Sequence, residues 1–327
     1  MRILITGESG FIASNLARVL TSMGHTPVLI DDENVARLSV TGEVCVHRND
    51  YETWAWHINN LSVDAVVHNA AVVGTDVVAL NPTEATLSNV AGSYNIVRAC
   101  NLANVPVCYM GTTVIYDTAK YQETVIVENS DLNPTTFYGI QKLAGENIVK
   151  THAKDWMVIR PLFAYGGAGD MNSLIAKSLF SLREDRKEID MFLNPSKIKD
   201  YLHVDDYCKA VSLGCSSGLW GEDFNIAAET PHHVSKIMEM MSTITNTNIS
   251  DRIAWHPNTD YLGNHMLSSK KFREKTHWQP EITLEEGIRM SYKDIMEDSS
   301  GYNPLVHLDS AKSQDIDLTD FFNVDSY

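Results

Sequence analysis

Short apolar runs alternate with longer mixed stretches through the first half of the chain. The runs are "ILIT", "PVLI", "VCV", "DAVVHNAA", "VPVCYM" and "WMVIRP". Their spacing by amphipathic segments predicts a parallel sheet with crossover helices. Between them, residues 84–103 place Leu87, Val90, Ala91, Tyr94, Ile96, Val97 and Cys100 near a helical period, and residues 138–151 do the same with Ile140, Leu143, Ala144, Ile148 and Val149. Both segments predict long helices lying on that sheet. From residue 166 the pattern loosens: "GGAGDMNS" reads as a loop, 173–184 as a helix, and "DYLHVDDY" as a return to strand.

Composition narrows the partners. With 327 residues, 44% of them hydrophobic, the chain buries a sizeable core. A formal charge of −16 with no Lys/Arg cluster argues against nucleic acid. There is neither a signal h-region nor a run of 18 apolar residues, so no membrane partner is expected. The five cysteines show no C-x-x-C spacing and sit mostly in apolar surroundings, which fits free thiols in a reducing, cytoplasmic setting. Residues 298–327 hold Asp298, Asp309, Asp315, Asp317, Asp320 and Asp325 against Lys312 alone, an acidic tail. It reads either as a solvated extension or, through Phe321 and Phe322, as a segment that docks.

"ILITGESGFIASNLARVL" runs strand, Gly7-x-x-Gly10-x-x-Ala13, helix. Small residues there let a dinucleotide's pyrophosphate approach helix-terminal N–H groups. The same residues also suit a plain tight turn. The strand "PVLI" ends in Asp31 and Asp32, carboxylates that accept from ribose hydroxyls and repel a 2′-phosphate, which favours NAD over NADP. No metal site is indicated.

Tyr138 and Lys142 share one helical face, where the ammonium lowers the phenol's pKa toward a usable acid/base. Tyr116 and Lys120 have the same spacing, but "YDTAKYQET" starts in a turn and carries no apolar stripe, so the Tyr138 pair is preferred.

"TGESGFIASNL", "DAVVHNAA", "NVAGSYNIVRA", "YGIQKLAGE", "VIRPLFAYG", "KDYLHVDDYCKAV", "FNIAAE" and "WQPEITLEEGI" occur in an order that resembles the extended short-chain dehydrogenase/reductases, in the nucleotide-sugar epimerase/dehydratase branch. The likeness spans residues 1 to 293 and leaves out the tail. It implies an α/β fold: a Rossmann doubly wound parallel sheet with a smaller C-terminal α+β substrate-binding lobe. The NAD-binding domain would comprise 1–165 with 200–227 returning to it, and the lobe 166–199 and 228–297. The resemblance further implies a triad of Thr112, Tyr138 and Lys142, in which Tyr138 exchanges a proton with a sugar hydroxyl while hydride passes to or from nicotinamide. Cofactor contacts would come from Gly7, Gly10, Phe11, Ile12, Asp31, Asp32, Asp50, Tyr51, Asn69, Ala70, Ala71, Asn89, Tyr138 and Lys142, with Asn89 as a helix-bending polar residue. Helices near 84–103 and 138–154 would pair across a homodimer.

The positions after Thr112 separate reactions within that branch. Dehydratases of this kind carry an Asp-Glu pair there and related decarboxylases keep the Glu, whereas fucose-synthase-like enzymes place a Cys at the second position. This chain has Thr113 and Val114. What remains is the equipment of a 4-epimerase working through a transient 4-keto sugar, or of a reductase or dehydrogenase at the same carbon. A non-catalytic NAD-bound scaffold is the third possibility. Substrate contacts are expected from Thr112, Thr113, Phe163, Lys199 and His256. Three of these depart from the pattern: Phe163 stands where relatives have Asn, Lys199 where they have a phosphate-contacting Arg, and His256 at another basic position. The expected partner is a nucleotide sugar.

Overall fold

The computed structural model describes residues 1–8, 10–31, 50–167, 169–170, 173–257 and 263–298. The expected strand "VCV", Asp32 and the tail beyond Asp298 lie outside the described residues.

Five of the apolar runs form strands: β1 (Arg2–Thr6), β2 (Thr26–Ile30), β3 (Ala65–His68), β4 (Val107–Met110) and β5 (Trp156–Pro161). A sixth strand, Glu222–Ile226, joins them, and the order is β2-β1-β3-β4-β5 and then Glu222–Ile226, with every described pairing parallel. β3 and β4 are buried along their whole length, as covered faces on both sides require. The chain winds outward from β1 in one direction and returns through β3 in the other. The crevice of this Rossmann-like sheet therefore opens at the carboxyl ends of β1 and β3.

Both long helices form. α1 (Phe11–Ser22) and α2 (Tyr51–Asn60) flank the sheet, the second capped by Asp50. α3 (Thr75–Leu80), α4 (Pro82–Thr86), a π-helical turn (Leu87–Gly92) and α5 (Ser93–Ala103) follow. α6 (Phe137–His152) starts on Thr136, whose hydroxyl accepts the Gly139 N–H, and carries Lys150 and His152 in its last turn, where cations oppose the helix dipole.

"DYLHVDDY" departs from the expected strand. Only Leu202–His203 pairs, with Ala164–Tyr165, and a helix begins at Val204. His203 is its N-cap and Asp205 and Asp206 fill its first turn. That is a helix start signal, and it outweighs the local alternation. This helix packs on α1, beneath the glycine turn. A second core gathers Tyr165 from the strand Ala164–Tyr165 with Leu174, Ile175, Leu179, Phe180, Ile237, Met241 and Ile288 from the helices Leu174–Arg183, Val234–Thr245 and Leu284–Glu297. The four described cysteines, Cys100, Cys108, Cys208 and Cys215, are buried free thiols.

α6 approaches the sheet closely at Gly145. A Cβ there would run into the Tyr109 hydroxyl and lie 3.0 Å from the Asn89 carbonyl oxygen. Glycine inside a helix ordinarily costs about 1 kcal/mol relative to alanine. Here the contact reverses that preference, and Gly145→Ala will destabilise the protein by roughly 1–3 kcal/mol through overpacking. Urea unfolding at constant m-value checks it.

Candidate active site

At the switch point, Gly7 adopts φ +79°, and a Cβ on it would fall 2.7 Å from Ala70 Cα. Both the conformation and the space demand glycine. Gly10 N–H closes the turn on Gly7 O at 3.1 Å, and Gly10 then begins α1 without a capping side chain. The first N–H groups of α1, from Phe11 and Ile12 onward, have no intrahelical acceptor and suit an anion. Asn69 Nδ2 lies 3.7 Å from where a Gly10 Cβ would sit, and Ala70 and Ala71 continue the lip. Asp31 is buried at the end of β2. A tight glycine turn packed against the chain after β3 and leading into an uncapped helix N-terminus fits a dinucleotide.

Asp50 is committed to its own helix: the carboxylate accepts Thr53 N–H at 3.0 Å and Thr53 O–H at 2.6 Å. Tyr51 packs into the α2–α5 seam with the Arg98 guanidinium 3.4 Å from its ring centre.

Thr112 follows β4 in extended backbone, and Thr113–Ile115 make a single 3-10 turn whose Val114 N–H points at Thr112 Oγ1 from 3.4 Å. Gly139, in the first turn of α6, sits against this segment, where a Cβ would be 2.9 Å from Val114 O. The fold thus brings Thr112 and Thr113 against the turn that carries Tyr138. One turn further along, Lys142 is 4% exposed, with Nζ 4.3 Å from the Tyr109 ring centre. Burial pulls its pKa down to about 7, partly opposed by Glu146. Asn89 lies inside the π-helical turn, the kind of irregularity that marks functional sites. Its Oδ1 accepts Val72 N–H at 2.8 Å, while its Nδ2 donates to Val72 O at 3.0 Å and to Gln141 Oε1 at 2.9 Å. It clamps the loop after β3 to α6.

The depressed Lys142 value has a measurable consequence. Between about pH 7 and 10.5 the folded protein holds fewer protons at this site than the unfolded chain, so stability rises with pH across that window. Lys142→Met will be the more stable protein at pH 7 relative to wild type, and that advantage will shrink by about pH 9.5. Guanidinium titrations of both proteins at the two pH values check this.

The second Tyr-x-x-x-Lys pair is taken apart by the fold. Tyr116 is buried, donating to Asn225 Oδ1 at 2.7 Å and accepting from Arg160 Nη1 at 2.6 Å, whereas Lys120 is exposed and paired with Asp131.

In the lobe, Lys199 is 1% exposed and donates to Gly263 O at 2.7 Å, with Nζ 5.6 Å from the Phe163 ring centre. Phe163 meets the rings of Tyr201 and His265 at 5.6 and 5.4 Å. His265, which the motif reading passes over, is fully buried, and among the described residues neither ring nitrogen has a hydrogen-bond partner. Burial, aided by the Lys199 charge, pushes its pKa down to about 3. It follows a Gly-Asn step in a segment with no regular pattern, so no sequence signal marks it. Lys199 and Phe163 are therefore neighbours, while His256 is held elsewhere. Its Nε2 lies 2.8 Å from Asp190 Oδ1 and its ring stacks on Phe192.

A glycine cradle at the switch point and a Tyr-Lys helix beside it define a dinucleotide-dependent enzyme. The family model described as NAD dependent epimerase/dehydratase family matches residues 3–227, and the chain belongs to that family. A protein of Mycobacterium tuberculosis named dTDP-glucose 4,6-dehydratase is 23% identical over 341 aligned residues, 96% of this chain and 99% of its own. Among solved structures, the NAD complex of dTDP-glucose 4,6-dehydratase from Bacillus anthracis superposes with a TM-score of 0.80 at 20% identity, covering 93% of this chain and 99% of that one. UDP-glucose 4-epimerase from Thermotoga maritima, solved with UDP-glucose, gives 0.76 at 21% identity, covering 90% and 98%. NAD is the cofactor of this family of nucleotide-sugar enzymes. No helix among the described residues is long and apolar enough to cross a membrane.

Proposed function

We propose that the protein is an NAD-dependent 4-epimerase of a nucleotide sugar. The observation that carries this reading is the turn after Thr112: Thr113 and Val114 occupy it, and neither supplies the acid or base that elimination of water from C5 and C6 requires. NAD, when bound, supplies a reversible two-electron acceptor at C4. Tyr138 removes the proton of the C4 hydroxyl at its phenolate oxygen and returns it after the keto sugar has turned over in the site. Lys142 lowers the Tyr138 pKa, and the Thr112 hydroxyl hydrogen-bonds the reacting oxygen. Gly7, Gly10, Asp31 and Asn69 to Ala71 hold the dinucleotide.

The test is a thermal-shift panel of UDP-, GDP-, dTDP- and CDP-sugars with NAD, followed by product analysis of the most stabilising one. A C4 epimer formed without net NADH change is the expected result. Net NADH appearance or consumption, or a 4-keto-6-deoxy product, overturns it.

The same reading includes a homodimer. Leu87, Tyr94, Leu102, Phe137 and Ile140 are all at least 40% exposed along the π turn, α5 and α6, an apolar stripe on adjacent helices. Light scattering should give twice the chain mass, and Leu87→Asp with Ile140→Asp should give the monomer. A monomeric wild type at tens of micromolar sinks the idea.

A further inference from the structure

His68, at the end of β3, faces Thr6, at the end of β1, across the switch point. Thr6 Oγ1 lies 2.9 Å from His68 Nδ1 and accepts the N–H groups of Asn69 and Ala70 at 3.1 and 3.0 Å. A hydroxyl has one proton to give and two lone pairs. With both lone pairs taken by amides, the Thr6 proton goes to His68 Nδ1, and the ring must carry its own hydrogen on Nε2. The opposite side of the ring gives the same answer independently. Ser93 Oγ donates to Asn89 O at 2.8 Å and lies 3.0 Å from His68 Nε2, so it is open to accept there. Burial and the Lys142 charge push the imidazole pKa down to about 3, which keeps it neutral.

The chain continues on both sides. The amides that Thr6 holds belong to Ala70, against which Gly7 packs, and to Asn69, which faces Gly10. Beyond Ser93 lies the π-helical turn, reached through the Asn89 carbonyl, and beside it the Tyr109 hydroxyl donates to Lys142 O at 3.3 Å.

We propose that His68 is a positioning residue, a neutral Nε2–H imidazole that fixes the NAD cradle through Thr6 with one nitrogen and the π-helical turn beside Lys142 through Ser93 with the other. It touches neither cofactor nor substrate. The assignment does not depend on which sugar chemistry the site performs, because its test needs only the full chain and NAD.

NAD affinity is measured by calorimetry at a temperature where each variant is folded, and amide exchange is followed over residues 87–92. His68→Phe keeps the volume and loses both bonds; NAD affinity should fall roughly tenfold and exchange in 87–92 should quicken. In His68→Asn the side-chain oxygen overlays Nδ1 and still accepts from Thr6, so most of the NAD affinity should return while exchange in 87–92 stays fast. Should His68→Phe fail to fold, Thr6→Val should show the affinity loss alone. Nitrogen-15 spectra of the imidazole at pH 7 should report the Nε2–H tautomer. The proposal is overturned by wild-type affinity in His68→Phe or Thr6→Val, by equal loss in His68→Phe and His68→Asn, or by an Nδ1–H or charged ring.

Discussion

Tyr138→Phe will lower turnover by roughly a hundred- to ten-thousand-fold, the range that a positioned general acid/base contributes. The phenol is half-buried on the first turn of α6, held against the Thr112 segment by the close approach of Gly139 to Val114 O. It shares a helix face with Lys142, whose pKa is brought down to about 7 by burial. The variant should keep its NAD affinity and its melting temperature, which separates chemistry from folding. Tyr116→Phe is the matching control. That hydroxyl ties Arg160 to Asn225, so its loss should cost about 1–3 kcal/mol of stability and leave turnover per folded molecule near wild type. If Tyr138→Phe retained wild-type turnover on the substrate found by the panel, the proton-transfer role of α6 would be wrong.

The second large effect concerns stability. Arg160 is 1% exposed in β5 and uses its whole fork: Nε and Nη2 donate to Glu146 at 3.0 and 2.5 Å, Nη2 to Asp223 at 2.6 Å and Nη1 to Tyr116 at 2.6 Å. It bonds β5 to α6, to the strand Glu222–Ile226 and to the loop after β4. Removing one member of a buried ion pair leaves the other uncompensated, and Arg160→Met should therefore cost roughly 3–5 kcal/mol. Arg160→Lys should recover little, because a single ammonium cannot span three partners. Lys120→Ala, which breaks an exposed and solvent-screened pair, should leave stability close to wild type. Chemical denaturation of the three variants ranks them. Burial alone would raise the Asp223 carboxyl, but Arg160, Lys150 and Lys271 outweigh it and hold it at about 2. Its contribution is present above the ordinary carboxylate pKa and fades as pH falls toward 2.

Several features were legible in the sequence because they depend on local periodicity. The apolar runs predicted the five described strands among them, and their spacing predicted parallel crossovers. Gly7 was legible because one position needs both positive φ and empty space. That Tyr138 and Lys142 fall on one helix was legible because i,i+4 on a helix is a geometric statement. "DYLHVDDY" misled because a short apolar alternation and a capped helix start coincide, and the acidic first turn decided it.

Other features depend on residues far apart in the chain. Tyr116 and Tyr138 have the same spacing to a lysine, and only packing buries one against Arg160 and sets the other on a helix face. Lys199 reads as a phosphate-contacting charge, but the fold encloses it beside Phe163 and His265. His256 looks equivalent in sequence and is drawn away to Asp190 and Phe192. The tautomer of His68 is fixed by Thr6 and Ser93, partners 62 and 25 residues away. The sequence by itself determined the layered sheet, the cradle glycine and the Tyr-Lys helix, since hydrophobic period and backbone sterics act within a few residues. The tertiary structure alone decided burial, and with it protonation state and hydrogen-bond direction, because desolvation depends on everything that surrounds a side chain.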